Sequence, residues 1–295
     1  MHFFHLLAAF LSLVHLGTAI AIRSAPSYSD DLARKRFWPL CAAAYTNPTK
    51  CIDKWLNAQL IRQLTLPCDE IFKNDTCSGY TAISPTLRVI ALVFRGTTTD
   101  GQLFAEGVES LKPNQQLGKG YVDEYFYNGF MKLWNAGMKD DFLAQHSRYP
   151  NYDIYITGHS LGGAMSTIAV NYLSINYDIP TIYHMTFGEP RVGDSAFVEM
   201  HDARFGGTTG YSYRVVHQND IVPHIPPQLF SYEHHKTEIW YDNDMKTADY
   251  KTCSMDESSD CANSVPALHY NISQHDTYFG VEFHDWIANG CQQAL

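Results

Sequence analysis

Hydrophobic positions along the chain fall into two alternating patterns. Leu87 to Phe94 (LRVIALVF) is a short unbroken run of branched apolar residues ending at Arg95-Gly96, which predicts a buried strand. Phe126, Phe130, Trp134, Met138 and Phe142 recur every fourth residue. That spacing predicts a helix with one apolar face, closed by Arg148-Tyr149-Pro150. Tyr152 to Thr157 (YDIYIT) reads as a second strand. Leu161 to Leu173 opens with small residues and continues with apolar ones at helical spacing. Thr181 to Phe187, Tyr211 to Val216 and Thr237 to Tyr241 read as further strands. Strands alternating with helices predict parallel βαβ units, covered by helices on both faces. After residue 30 there is no repeat, low-complexity tract or linker-like stretch, so one α/β domain is expected from residue 30 to residue 295.

The first 21 residues follow a different pattern. Met1 to Ala21 contains no Lys, Arg, Asp or Glu; Leu6 to Leu16 is apolar, and small residues follow at Thr18-Ala19 and Ala21. This predicts a secretory signal peptide over residues 1–21, although its start carries His2 and His5 in place of Lys or Arg. The apolar run is shorter than the ~20 residues a membrane-spanning helix needs, so a secreted, extracellular protein without a transmembrane segment is expected. Cysteine usage agrees with an oxidising compartment. Seven cysteines follow the leader, and two short loops suggest the pairs Cys68–Cys77 and Cys253–Cys261. Between the latter two, Ser254 to Asp260 is acidic and reads as a solvated loop. An odd count leaves at least one cysteine unpaired within the chain. Asn74-Asp75-Thr76 and Asn271-Ile272-Ser273 are glycosylation sequons, whereas Asn47-Pro48-Thr49 is blocked by its proline.

Composition narrows the function. The chain has 295 residues, 45% hydrophobic and 18% charged, with a net charge of −10. An acidic surface speaks against nucleic acid and gains little from anionic membranes. Fourteen histidines invite a metal reading, but they are scattered through the sequence. There is no H-E-x-x-H and no paired C-x-x-C, so neither metal nor cofactor is expected.

The chemistry sits at Gly158-His159-Ser160-Leu161-Gly162-Gly163, a G-x-S-x-G motif between a predicted strand and a predicted helix. That context is what a nucleophile elbow needs. The turn is too tight for bulky neighbours, so glycines flank the serine, whose hydroxyl is lifted beyond the sheet edge. Such a serine needs a general base, and the base needs an orienting carboxylate. In folds with this elbow the acid and then the histidine follow along the chain. Asp220, after the strand Tyr211 to Val216, is the natural acid, with Asp194 as its rival. Six histidines lie beyond it. His224 is too near in sequence, and His234 and His235 precede a strand. Position leaves His269, His275 and His284 in contention. A developing oxyanion also needs donors. The N–H of Leu161 is one, and Thr97, in the loop Arg95-Gly96-Thr97-Thr98, is the other.

The segments VFRGT (Val93 to Thr97), TGHSLGGA (Thr157 to Ala164), TFGEPRVGD (Thr186 to Asp194), NDIVPHIPP (Asn219 to Pro227) and HDTYFG (His275 to Gly280) together resemble the fungal-type class 3 lipases. The resemblance runs over roughly residues 35 to 291. It implies an α/β-hydrolase fold with a mostly parallel sheet flanked by helices and a lid segment. It also implies a triad of Ser160, Asp220 and His275 with Thr97 and Leu161 at the oxyanion, and it selects His275 over His284. An early cysteine bridging to the C-terminus is implied too, read here as Cys51–Cys291, which leaves Cys41 free. The activity implied is that of a monomeric, secreted triacylglycerol lipase acting on lipid ester at an oil–water interface. The alternatives are a feruloyl or short-chain esterase, a phospholipase A1, or a binding protein with a dead site. The lid region, residues 98–111, carries Leu103, Phe104 and Val108 on one helical face, but also Asp100, Glu106 and Glu109 and no tryptophan. A mobile, partly polar lid with modest interfacial activation is therefore expected.

Overall fold

The computed structural model describes residues 27–68, 76–98, 113–177, 179, 181–206 and 210–295. The leader 1–21, the sequon asparagine Asn74 and the lid residues Leu103, Phe104 and Val108 lie outside them. The strands in chain order are β1 (Gln59–Pro67), β2 (Thr76–Ser84), β3 (Val89–Phe94), β4 (Pro113–Leu117), β5 (Gly120–Asp123) and β6 (Asp153–His159). They continue as β7 (Ile182–Phe187), β8 (Tyr211–His217), β9 (Glu238–Tyr241), β10 (Lys251–Cys253), β11 (Thr277–Tyr278) and β12 (Val281–Glu282). Helical segments are α1 (30–43), α2 (Thr49–Leu56), α3 (124–148), α4 (Leu161–Asn176), α5 (Ser195–Phe205) and α6 (Phe283–Ala288).

Among the described residues the main sheet has eight strands in the order β1-β2-β3-β6-β7-β8-β9-β10. Its centre, β3 to β9, is parallel throughout. The flanks β1-β2-β3 and β9-β10 are antiparallel. β3 shows why the centre must be buried on both faces. Ile90, Leu92 and Phe94 point into one core with α3 and α4, while Val89, Ala91 and Val93 point into a second with α1 and α2. Side chains alternate across a strand, so an unbroken apolar run needs cover on both sides. This is an α/β-hydrolase fold.

The predicted central strands lie within two residues of those observed. Shifts of two residues occur at the end of β6, which runs on to His159, and at the start of β3, because Leu87 and Arg88 belong to the turn from β2, where Arg88 has φ 57°. The row Phe126, Phe130, Trp134, Met138 and Phe142 is fully buried, but not on a straight α-helix. A spacing of four residues drifts by about 40° per step against the 3.6-residue turn. The helix is kinked within Trp134–Met138, where Gly137 leaves helical geometry at φ 131°, and the kink brings the row back to the core. The loop between Cys253 and Cys261 also differs from expectation. It is acidic, but Glu257 turns inward and pairs with Arg191 at 2.8 Å.

On the α4–α5 side of β7 and β8 the apolar layer gives way to polar side chains. His184 and Thr186 of β7 stand beside Ser212 and Arg214 of β8, and all four are buried.

Three disulfides pair Cys51 with Cys291, Cys68 with Cys77 and Cys253 with Cys261. Cys41 is a buried free thiol, 3.0 Å from the Thr157 hydroxyl. The first bridge closes a sequence separation of 240 residues and the second one of 9. Loop-closure entropy grows with the logarithm of loop length, so the stabilisation should differ: roughly 5 kcal/mol for the long loop against roughly 3 kcal/mol for the short one. Cys291→Ser is therefore expected to lower the denaturant midpoint more than Cys77→Ser. The reverse order in urea titrations would show that the terminal bridge is not the principal covalent brace.

Candidate active site

Strand β6 delivers Ser160 to the start of α4 through a turn that excludes a β-carbon on either side. A Cβ at Gly158 would sit 2.1 Å from the Gly162 carbonyl oxygen, and one at Gly162 would sit 2.1 Å from that of Phe94. Ser160 itself holds φ 58° and ψ −132°, a conformation that non-glycine residues rarely adopt. Two backbone bonds fix it there. The Ser160 N–H donates to the Phe187 carbonyl at 3.0 Å, and the Ser160 carbonyl accepts from Gly163 at 2.8 Å.

Two later loops converge on the elbow. Asp220, fully buried, follows β8, and its Oδ1 accepts the Val222 N–H at 2.9 Å. Its Oδ2 lies 2.7 Å from His275 Nδ1. The opposite nitrogen, His275 Nε2, is buried and has no hydrogen-bond partner among the described residues. An aspartate on Nδ1 fixes the proton there and leaves the Nε2 lone pair open. Burial alone would lower the basicity of His275. The Asp220 carboxylate, through charge and hydrogen bond, and then Asp276 outweigh burial, so the net shift is upward. Gly188 makes the pair possible. It has φ 56°, and a Cβ there would lie 2.7 Å from the His275 ring and 2.8 Å from Asp220 Oδ2.

The loop Arg95-Gly96-Thr97-Thr98, expected to supply an oxyanion donor, is braced from below. The Arg95 guanidinium donates to the Gly96 carbonyl at 3.0 Å, and to the Thr76 hydroxyl at 2.8 Å and its carbonyl. Thr97 is half-buried at the end of this loop. Leu161 is the first residue of α4, where no helix carbonyl can accept its N–H.

The rival residues go elsewhere. Asp194 caps α5, its carboxylate accepting from Phe197 and Tyr121 N–H groups at 2.9 and 3.0 Å. His269 and His284 are exposed. His224 stacks on Tyr270 at 3.9 Å, and His234 donates to the Pro223 carbonyl.

Two features were not anticipated. Arg191, within the PRVGD segment, grips the loop that follows Asp220. Its guanidinium donates to the His224 and Pro226 carbonyls at 2.6 and 3.1 Å and pairs with both oxygens of Glu257. Burial would raise the Glu257 carboxyl, but the Arg191 contact outweighs it and holds that carboxyl low. The histidines are also not all scattered. His184, His201 and His235 come together in the interior with ring nitrogens within 4.8 Å of one another. They are the described residues best placed to hold a metal ion. Their nitrogens are already committed, however. The Ser212 hydroxyl stands between His184 Nδ1 and His201 Nε2, at 2.8 and 2.9 Å. His235 Nδ1 faces the Lys236 carbonyl, and its Nε2 lies 3.2 Å from Glu189. Burial pushes all three basicities down, that of His235 to about 3.

Comparison with known proteins places this arrangement. The class 3 lipase family matches residues 91–230, which span the loop 95–98, the elbow and Asp220. A lipase of Caenorhabditis elegans is 34% identical over 303 residues, covering 87% of this chain and 81% of the nematode protein. A lipase of Rhizomucor miehei is 33% identical over 205 residues, covering 66% of this chain and 53% of that protein. The chain thus spans about half of the fungal relative's length. A solved triacylglycerol lipase, whose catalytic centre is described as a serine protease triad, superposes with a TM-score of 0.73 at 26% identity over 88% of this chain and 98% of its own. With the elbow inside the family match and the nematode lipase shared along most of both chains, this protein belongs to the class 3 lipase family and is a serine ester hydrolase.

Proposed function

We propose that the protein is a secreted triacylglycerol lipase in which Ser160, Asp220 and His275 form the catalytic triad. The observation that carries this reading is the buried His275, bonded to Asp220 at 2.7 Å through one nitrogen and open at the other. Ser160 attacks the ester carbonyl while His275 Nε2 takes its proton. The resulting imidazolium faces the Asp220 carboxylate, which orients and stabilises it. The Leu161 N–H and the Thr97 donors receive the oxyanion. Collapse expels the alcohol, which takes the proton from His275 and leaves an acyl-Ser160 ester. Water, deprotonated by the same histidine, then releases the fatty acid.

Secretion is part of the reading. It is supported by the uncharged leader, by the three disulfides and by the absence, among the described residues, of any helix long and apolar enough to cross a membrane. Residues 30–295 then act as one catalytic domain. Mass mapping of protein recovered from the medium should find no peptide from residues 1–21. An intact leader on that protein would refute cleavage.

Ser160→Ala should reduce ester hydrolysis and fluorophosphonate labelling to background while the protein still folds. Asp220→Asn and His275→Ala should each lower kcat by about 10⁴-fold. Full labelling of Ser160→Ala would remove the nucleophile assignment. Emulsified triglyceride, a phospholipid and a feruloyl ester, compared as substrates, test the acyl-donor class. Preference for either of the latter two would displace the triacylglycerol reading.

The pH profile follows from the sign of the His275 shift. The base works only when neutral, and its basicity is raised above the ordinary 6.5. kcat/KM should therefore fall as pH drops through an apparent pKa above 6.5. Asp220→Asn removes the raising charge and should move that limb to lower pH. A limb that stays in place in this variant would mean another group titrates.

A further inference from the structure

Buried His159 and half-buried Tyr45 form a polar pair beside the elbow that the triad does not use. His159 immediately precedes Ser160, so its ring is carried by the elbow. Its Nε2 lies 2.8 Å from the His275 carbonyl oxygen. A carbonyl can only accept, so Nε2 carries the proton. In a neutral imidazole the other nitrogen is then an acceptor. The Tyr45 hydroxyl lies 2.7 Å from His159 Nδ1 and must donate to it. The Tyr45 oxygen in turn packs against Gly96, where an added Cβ would collide with it. Both bonds in the chain Tyr45 O–H, His159 and His275 carbonyl thus have a defined direction.

We propose that Tyr45 and His159 are positioning residues for ester hydrolysis, a hydrogen-bonded brace that sets His275 against Ser160 and the oxyanion loop. This rests on the triad assignment above. The brace touches three separate chain segments, each carrying one part of the chemistry: Gly96 beside Thr97, His159 beside Ser160, and His275 itself. The fit at the junction is close. A Cβ at Gly96 would lie 2.2 Å from the Tyr45 oxygen and 2.9 Å from the Ser160 Cβ. The His159 ring also packs against the base, with centroids 4.3 Å apart.

A satisfied core histidine could make the same number of bonds. The difference lies in what they hold. One ring nitrogen of His159 holds the His275 carbonyl and the other holds Tyr45, whose oxygen packs on Gly96. The chain also survives the catalytic cycle. The titratable groups facing His159 are Tyr45, Tyr278, His275 and His284, and burial is the largest influence. Burial and the charge on His275 both push His159 well below the usual histidine range. When His275 takes the Ser160 proton, His159 stays neutral and the direction of each bond is kept. A protonated Nδ1 would point a hydrogen at the Tyr45 oxygen and leave the Tyr45 hydrogen without its acceptor.

Tyr45→Phe keeps the ring and deletes the hydroxyl, so His159 Nδ1 loses its partner and Gly96 loses the oxygen packed against it. The fluorophosphonate acylation rate and kcat should fall on the order of tenfold to a hundredfold, as expected for a small misplacement of reacting groups. KM for a soluble short-chain ester and the melting temperature should change little. The acidic limb of kcat/KM should move to lower pH, because a loosened His275 couples less well to Asp220. His159→Gln retains an N–H toward the His275 carbonyl but cannot also serve Tyr45, so it should show a similar loss. It carries the same test if Tyr45→Phe does not fold. In the double variant the losses should not add, since either change breaks the same chain. Ser160→Ala separates the two levels of the argument. If it labels normally, the triad assignment fails. If it is inactive while Tyr45→Phe keeps the wild-type rate and pH limb, the brace alone is overturned. Additive losses in the double variant, or a loss confined to melting temperature or KM, would overturn it as well.

Discussion

The site depends on a turn with no room in it. At the end of β6 the chain reverses into α4 within one residue, and the Phe94 and Gly162 carbonyls occupy the space where flanking β-carbons would go. Ser160 is left in a backbone conformation that costs of order 1–3 kcal/mol, and surrounding structure must hold it there. That structure is the adjacent strand ends. The Phe187 carbonyl of β7 takes the Ser160 N–H, and β3 supplies the Phe94 wall. A parallel arrangement at this point is therefore required, since it brings three strand C-termini to one edge. The apolar runs of β3 and β6 then demand helices on both faces, and the layered fold follows.

Everything else in the site is loop, and loops must be restrained to within a fraction of an ångström. The means differ for each. Arg95 clamps the loop 95–98 to β2 through Thr76 and Gly96. Arg191 clamps the Asp220 loop to Glu257, whose own segment is closed by the Cys253–Cys261 bridge. Both guanidiniums are buried, and each spends its donors on carbonyl, hydroxyl or carboxylate oxygens. A planar donor fork suits this task better than an ammonium, because it fixes angle as well as distance. The electrostatics of His275 follow from the same restraint. Burial disfavours its cation, and Asp220 prevails because it is held at 2.7 Å in the same dry pocket.

The central strands and the elbow were legible in the sequence because they are local. An unbroken LRVIALVF run and glycines around Ser160 report on their own surroundings. The antiparallel flank was not legible: β1 is half-exposed and polar, and β2 (TCSGYTAIS) is rich in small and hydroxylated residues, so neither shows a clear apolar pattern. The kink within Trp134–Met138 was hidden in plain view. A strict interval of four residues fits neither a straight α-helix nor a strand, and that misfit was the available signal. Among site residues, Asp220 stood out by its place after β8, whereas choosing His275 needed the family resemblance. His184, His201 and His235 are far apart in sequence and meet only through β7, α5 and the segment before β9. No spacing rule could have joined them. Glu257 looked like one more charge in an acidic loop, and only Arg191 distinguishes it.

The polar interior behind the elbow shows how such a site can be built without weakening the fold. Asn171 donates to His201, which donates to Ser212; Ser212 donates to His184, which reaches Ser166, and Ser166 ends on the Gly163 carbonyl. Each histidine in this series needs only one proton, so the chain is satisfied in its neutral form. Burial, which lowers the basicity of both, keeps it so. An unsatisfied buried group costs about 1–3 kcal/mol, and here each ring nitrogen has a partner. The series ends on the same turn of α4 whose Gly163 N–H holds the Ser160 carbonyl. Side chains that look idle from the pocket therefore bear on the first turn of the nucleophile's helix from behind, while Gly158 and Gly162 let the strand approach it from the front.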